Sequence, residues 1–501
     1  MIGLHEFSNN FFSSMYLYLL FNNVFIFIMS TYFIIILFLS IIFYSKFNTV
    51  FFNQIKNTLK QIYFFSLLIS IFFFFFKLFY SSWFITGDYL TASISFNTKI
   101  SKQIFFNFNP FGDVLVLLCL LTILISWIYL SERYLFFNIF NVFYFFIFII
   151  FTINMVYSKN LLIMFIFFEF IFLPSLYFVY WLSYSKKSNK TVKYLLLWTL
   201  TGSFMVACGL AYLYGITKTF NLENLYFFQF SILENYLFFF CFFIGFGVKL
   251  PLWPFHYWLT KVHVEAPTGF SIFLSGFLVK TALYCLIYFI LLFKNFYAIY
   301  FAFGIIFFGA LDASIRMWSA TDIKRLIAFA TIQEMNLIVG LLLLLNNSYF
   351  QILNIFILVH GILSTLLFFL VDQIQKRFYT RNLIVISGLA TKAPLLHIII
   401  WLTILVFRGF PLFIKFFIEW ELLSILLNNF FIWGFIIFFL VSMYGVLGFC
   451  RIWFMVLYGQ PNPNIKNSGD ILKKDLIVAS YLLLFLFSLS LVIFFFNGCS
   501  F

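Results

Sequence analysis

The chain of 501 residues is 64% hydrophobic and only 9% charged, with a mean hydropathy of +1.07. So apolar a composition excludes a soluble globular fold, whose polar surface needs far more charge. Its 30 Lys and Arg against 16 Asp and Glu leave a net charge of +14, which a membrane protein can carry in its loops with no nucleic acid involved.

Apolar runs of about 20 residues recur from end to end, each long enough to cross a hydrocarbon core about 30 Å thick. The alternation of a membrane β-barrel is absent. We expect no cleavable signal or Arg-rich transit peptide in the opening MIGLHEFSNNFF, which is uncharged apart from Glu6. About fourteen helices are predicted, near 24–44, 62–80, 110–130, 135–157, 160–183, 193–214, 235–250, 267–292, 295–315, 323–346, 348–371, 394–426, 430–457 and 474–496. Proline cannot continue a helical hydrogen-bond ladder, so the seventh is expected to break at Pro251 and the twelfth near Pro411. The fold class is an all-α polytopic membrane protein.

Loop charges supply a check on this count. Loops after odd-numbered helices hold Lys46, Lys56 and Lys60; Arg133; Lys186, Lys187, Lys190 and Lys193; Arg316; Lys376, Arg377, Arg381 and Lys392; and Lys466, Lys473 and Lys474. Loops after even-numbered helices hold little, with Lys99 and Lys102 in one, Lys218 in another and Lys294 in a third. Lys and Arg collect on the side from which insertion occurs, so the odd loops face the matrix or cytoplasm and both termini lie opposite. The basic run SYSKKSNKTVK then reads as a solvated inside loop, with a lipid or protein docking site as the alternative.

The six cysteines, Cys119, Cys208, Cys241, Cys285, Cys450 and Cys499, are scattered singly, and no CxxC pair occurs. No iron–sulfur cluster, zinc site or disulfide framework is expected, nor a Walker A or GxGxxG nucleotide loop. If the protein serves a redox machine, the electrons travel in other chains. The 86 Phe, with abundant Ile, Tyr, Asn and Lys, suggest AT-rich coding of an organellar or reduced genome.

Charged residues inside apolar spans cost about 2.5–3.5 kcal/mol each on insertion scales and therefore face a bundle interior or a wet cavity. Glu169 lies in LLIMFIFFEFIFLPSLYF, Lys249 in IGFGVKLPLWPF, Lys280 in GFSIFLSGFLVKTALYCL, Glu334 in LIAFATIQEMNLIVGLL and His360 in IFILVHGILSTLLFF. Lys415 and Glu419 share FPLFIKFFIEWELLSILL. Lys77 reads as a side chain snorkelling to the interface, and His397 and Arg408 as structural residues. His360 alone reads equally as a hydrogen-bonded core histidine; beside the mid-span Glu and Lys it reads as part of a proton path. Glu169 and Lys249 form either a helix-fastening ion pair or a relay, and one pair can be both. Pro251 and Pro254 leave backbone carbonyls free beside Lys249, so a hydrated pocket is expected there.

Glu169 and Lys249 stand 80 positions apart, and Glu334 and Lys415 stand 81 apart. A shift of about 165 superposes both, with a proline near each lysine. With five helices per unit, successive copies have opposite topology. We therefore expect inverted repeats at about 135–294 and 295–458, preceded by three helices over 1–134 and followed by a last helix in 459–501.

The stretches FFEFIFLPSLYF, FGVKLPLWPFHYWLTKVHVEAPTGFSIFLSGFLVK, ATDIKRLIAFATIQEMNLIVG and LVHGILSTLLFF resemble the antiporter-like membrane-arm subunits of respiratory complex I, the NADH–ubiquinone oxidoreductase. HVEAPT followed by the helix of Lys280 points to the chain 4 branch rather than its paralogues, chains 2 and 5. The resemblance covers roughly residues 105–460. It implies fourteen core helices in two inverted five-helix repeats. It also implies that Glu169 and Lys249 form the charge pair of the first half-channel, and that Lys280 is the central lysine, His360 the axial histidine and Glu419 the terminal carboxylate. Glu334 departs from the usual His, and Lys415 stands where a small polar residue is common, which adds a Glu–Lys pair to the second half.

By the same resemblance, the chain would translocate protons through Lys249, Lys280, His360 and Glu419, driven by redox chemistry elsewhere. Flavin, iron–sulfur clusters and quinone would belong to partner subunits, with no cofactor or metal in this chain. Its partners would be chain 2 and chain 5 type subunits, accessory subunits and membrane lipid, in the mitochondrial inner membrane with both termini in the intermembrane space. The rival readings are a subunit of a multi-subunit cation/proton antiporter, a structural scaffold, or a membrane-bound hydrogenase subunit.

Overall fold

The computed structural model describes residues 110–133, 139–182, 188–225, 227–292, 296–344, 350–383, 385–428, 432–460 and 469–497. The helices expected near 24–44 and 62–80 lie outside them. The chain divides into two compact units, Met1–Lys77 with Phe136–Phe146 and Leu78–Leu135 with Ile147–Phe501. Of the first unit, residues 139–146 are described, and they are helical.

Every named element among the described residues is a helix. In order these are α1 (Pro110–Arg133), α2 (Ile139–Val156), α3 (Leu161–Leu182), α4 (Ser188–Thr217), the single turn α5 (Leu222–Leu225), α6 (Ile232–Lys249) and α7 (Tyr257–Glu265). Next come α8 (Thr268–Phe273) and α9 (Val279–Leu292), joined without interruption by a π-helical turn at Leu274–Leu278. Then follow α10 (Phe296–Trp318), α11 (Ile323–Leu344), α12 (Phe350–Phe378), the turn α13 (Leu389–Lys392), α14 (Pro394–Phe407), α15 (Ile414–Asn428), α16 (Ile432–Tyr458) and α17 (Lys473–Asn497). Eight helices among the described residues are long and apolar enough to cross a membrane.

Three departures from the expected boundaries have local causes. α4 begins at Ser188, so Lys190 and Lys193 sit on its first turns, their side chains exposed, instead of in the preceding loop. Residues 257–265, read as a connection, form α7, because helix resumes three residues after Pro254. The twelfth predicted helix stops at Phe407, four residues ahead of Pro411, and restarts at Ile414. Gly409 turns that break at φ +63°, a left-handed conformation that glycine adopts without steric cost.

In the second unit the most apolar stretches of the α8–α9 span and of α11 are wholly enclosed by protein, and that of α12 is 83% enclosed. α4 and α16 are only a third enclosed and present residues such as Leu197, Phe204, Phe439 and Met455 outward. A bundle that keeps its most enclosed helices for charged residues avoids placing those charges in hydrocarbon. Around this centre α8 packs on α1 and α12, α10 on α11 and α16, α4 on α6, and α15 on α12 and α16.

Two isolated antiparallel bridges fasten helix ends, Asn160 with Asn221 and Asp322 with Asn382. In the first, Leu161 N–H donates to the Phe220 carbonyl and Leu222 N–H to the Lys159 carbonyl, each at 3.0 Å. In the second, Ile323 N–H donates to Arg381 at 3.2 Å and Leu383 N–H to Thr321 at 2.9 Å. The Asn160 and Asp322 side chains then accept from the second residues of α3 and α11, Leu162 and Lys324, both at 2.9 Å. Each therefore satisfies one orphan donor of a helix start.

Candidate functional site

The break after α6 follows from its prolines. Pro251 has no N–H to offer the Gly247 carbonyl, so Leu252 N–H supplies that bond instead, at 2.9 Å. The Val248 carbonyl is left without its helical donor, and the buried Trp258 indole N–H of α7 donates to it at 2.8 Å. The helix can thus end inside the protein with its Gly247 and Val248 carbonyls satisfied, and Lys249 is its last residue.

Lys249 reaches across to α3, where its Nζ lies 2.6 Å from Glu169 Oε1. The lysine side chain is fully buried, while Glu169 is 29% exposed, so the carboxylate is the accessible member of the pair. The ammonium is also flanked by the Phe168 and Phe172 rings, 4.1 and 4.4 Å from their centroids. Aromatic faces attract a cation, so both rings help to hold the ammonium beside its carboxylate.

The second break repeats this chemistry with other residues. Lys415, in the first turn of α15, places its Nζ 2.7 Å from Glu334 Oε1 on α11 and 3.6 Å from Glu419 Oε1 one turn along its own helix. It also donates to the Phe407 carbonyl at the end of α14 and lies over the Phe407 ring. The ammonium therefore does for this break what the Trp258 indole does for the first. Arg408 sits beside the same break, its guanidinium 4.4 Å from the Phe449 centroid, and its Nε and Nη2 have no acceptor among the described residues.

Lys280 and His360 occupy the enclosed centre. The π-helical turn before α9 widens the helix, and the Lys280 ammonium folds back to donate to the Ser275 carbonyl. No carboxylate lies within ion-pair distance of Lys280 among the described residues. Among the described residues neither ring nitrogen of His360 meets a protein partner, and the Lys280 and Lys415 ammonium groups are both within electrostatic reach of the ring. The approach is close because Gly276 and Gly361 face each other. A Cβ on Gly361 would lie 2.6 Å from Leu118 and 3.2 Å from the Gly276 carbonyl.

All seven residues singled out in the sequence lie in the second unit, and Glu334, Lys415 and Glu419 join in one cluster while Glu169 and Lys249 form another. Several contributors were not singled out. Trp258 is one. His263 is another: fully buried, stacked on Phe368 at 4.7 Å, and, among the described residues, without a protein partner at either ring nitrogen. Lys324 donates to the Ala266 carbonyl at 2.7 Å and Arg381 to the Val264 carbonyl, so two basic side chains hold the HVEAPT backbone. Arg381 had counted only as a loop charge; nothing in its local sequence marks the contact.

Residues 158–445 match the family model described as "NADH:quinone oxidoreductase/Mrp antiporter, TM". The chain is 34% identical over 393 residues to NADH-ubiquinone oxidoreductase chain 4 of Paramecium tetraurelia, covering 78% of this chain and 83% of that one. Among solved structures it resembles a chain of respiratory complex I from Thermus thermophilus with bound NADH, at TM-score 0.68 and 21% identity, covering 77% of this chain and 82% of that one. It also resembles a chain of the Mrp complex from a Dietzia species, at TM-score 0.70 and 17% identity, with 76% and 80% covered. At these identities the two structures speak to fold alone.

Proposed function

The chain belongs to the NADH:quinone oxidoreductase/Mrp antiporter membrane family, and on that premise we propose that it is a proton-translocating membrane-arm subunit of NADH:ubiquinone oxidoreductase. The observation that carries the reading is the buried series itself. Two lysines, each ion-paired at a broken helix, flank Lys280 and His360 on the most enclosed spans. Such charges are costly in a membrane and repay that cost where protons must cross.

In this reading Glu169 and Lys249 gate the first half of the path. Lys280 and His360 carry protonation across the centre, and Glu334, Lys415 and Glu419 form the second half. Moving one charge against 100 mV takes about 2.3 kcal/mol, within reach of making or loosening one buried ion pair. Flavin, iron–sulfur and quinone chemistry would belong to other subunits of the complex, and the membrane-arm partners of this chain would be the chain 2 and chain 5 type subunits. The chain would sit in the mitochondrial inner membrane with both termini in the intermembrane space.

We infer further that the fourteen predicted helices include two inverted repeats, about 135–294 and 295–458. The matched bridges support this, since Asn160 to Asp322 and Asn221 to Asn382 differ by nearly the same displacement as Glu169 to Glu334.

Lys280→Met tests the relay. In membranes energised by NADH, the expected result is an assembled complex whose protons pumped per electron pair fall below wild type. Wild-type pumping would refute the relay. A native gel of solubilised membranes stained for NADH oxidation tests membership: the chain should migrate in that band, whereas a small band with sodium-dependent proton exchange would favour the antiporter reading.

A further inference from the structure

Lys415 differs from Lys249 in having two carboxylates to choose between. Its Nζ is 2.7 Å from Glu334 and 3.6 Å from Glu419, both measured from the same nitrogen. Lys415 and Glu419 are one turn apart on α15, so their side chains share a face and can meet without any movement of the helix. Rotation about the terminal side-chain bonds of Lys415 is enough to exchange the shorter contact. The two carboxylates also differ in access: the Glu334 side chain is 3% exposed and that of Glu419 26%. Gly409 leaves room for the outer one, since a Cβ there would lie 2.8 Å from Glu419 Oε2.

We propose that Lys415 is a two-position switch that stays protonated and passes between Glu334 and Glu419, so that a proton taken up at Glu334 is matched by one released at Glu419. This rests on reading the buried series as a proton path, and it assigns the step of that path in the second half. In the first position Glu334 is ionised and paired with Lys415, and Glu419 carries a proton. A proton bound at Glu334 Oε1 ends that pairing; the ammonium moves to Glu419, whose O–H bond breaks as its proton leaves. Among the described residues, the other charged or titratable groups facing this pair are His360 on α12, Arg408 at the end of α14 and, beside Arg408, Cys450 on α16. With Arg408 positive throughout, both end positions hold the same net charge; on reset the Glu334 proton passes to Glu419 and the ammonium returns to Glu334, so no charge is stored in the bundle.

The test compares variants in the assembled complex, reading its abundance on a native gel and protons pumped per electron pair in proteoliposomes. Glu334→Gln should assemble at wild-type abundance, because Glu419 takes over the ammonium, and should pump at the Lys280→Met level. Glu334→Gln with Glu419→Gln leaves Lys415 buried and unpaired, and abundance should fall roughly tenfold. If the single variant loses as much complex as the double, Glu419 does not accept the lysine and the switch is overturned. Glu334→Leu with Lys415→Met replaces the ion pair by apolar side chains of similar size, a change that buried pairs commonly tolerate. It should assemble yet pump at the Lys280→Met level. Wild-type pumping here, with Lys280→Met impaired, would reduce Glu334 and Lys415 to a fastener and leave the relay standing. Wild-type pumping in both would remove relay and switch together.

Discussion

At the scale of single residues the two ion pairs differ in what holds the lysine. Lys249 has one carboxylate and two phenyl faces, whereas Lys415 has two carboxylates and a backbone carbonyl. Removing one partner from a buried pair costs about 3–5 kcal/mol, because the remaining charge is left in a poorly polarisable interior. Glu169→Gln should therefore lower assembled complex and abolish pumping in what remains, since among the described residues Lys249 has no second carboxylate within ion-pair distance. Glu169→Asp keeps the charge but shortens the reach by one methylene, and should retain assembly with reduced pumping. A Glu169→Gln complex that assembles and pumps as wild type would show that the 2.6 Å contact contributes to neither. The pairing itself was legible from sequence, because a mid-span Glu and a mid-span Lys each demand a partner and the spacing recurs. The Phe168 and Phe172 faces were not, because one Phe among 86 carries no signal of its direction.

At the scale of elements, both broken helices end where a proline or glycine removes the regular ladder, and each is stabilised by a side chain from beyond the break. Trp258→Phe keeps most of the apolar contact but leaves the Val248 carbonyl without a donor, a loss of about 1–3 kcal/mol. The expected outcome is a shorter half-life of pumping activity at raised temperature, with normal activity in the cold. An unchanged half-life would mean that the carbonyl finds another donor. Gly409→Ala adds a Cβ both at φ +63° and 2.8 Å from Glu419, so it should displace the carboxylate and impair pumping more than Gly304→Ala, whose Cβ meets nothing within 4 Å. Equal pumping in the two variants would count against a positioned Glu419. The sequence marked these breaks through Pro251 and Pro411, but it set the second one several residues late. Pro411 announces that a helix cannot continue; it does not say how far back the chain unwinds. The π-helical turn before Lys280 had no sequence mark at all, since LSGFL is unremarkable for a helix. Distant capping was equally silent: Asp470 accepts from Leu395 N–H at 2.7 Å and Leu396 N–H at 3.2 Å, supplying to α14 a cap from 74 residues or more away.

At the scale of the whole molecule, orientation is the property that hydropathy and charge alone predict. α4 spans 30 residues, about 45 Å at the rise of an α-helix, with exposed Lys190 near its start and exposed Lys218 just past its end. Cysteines placed at these two positions should react with a membrane-impermeant maleimide from opposite faces, Lys190→Cys from the matrix side. Labelling of both from one side would overturn the loop-charge parity and with it the predicted orientation of the termini. By itself the sequence determined that the chain is a helical membrane protein, where most spans in the described residues lie, and which few residues carry charge within them. Those are one-dimensional quantities, because crossing hydrocarbon requires a continuous apolar run and makes every interior charge conspicuous. Only the tertiary structure decided that Lys415 has two carboxylates in reach, that Trp258 and Lys415 satisfy the carbonyls of the two breaks, and that Lys324 and Arg381 hold the HVEAPT backbone. Each of those depends on which faces of separate helices meet. In a chain apolar on nearly every face, the hydrophobic pattern cannot choose among them, and the choice falls to close packing and to the need of each buried polar group for a partner.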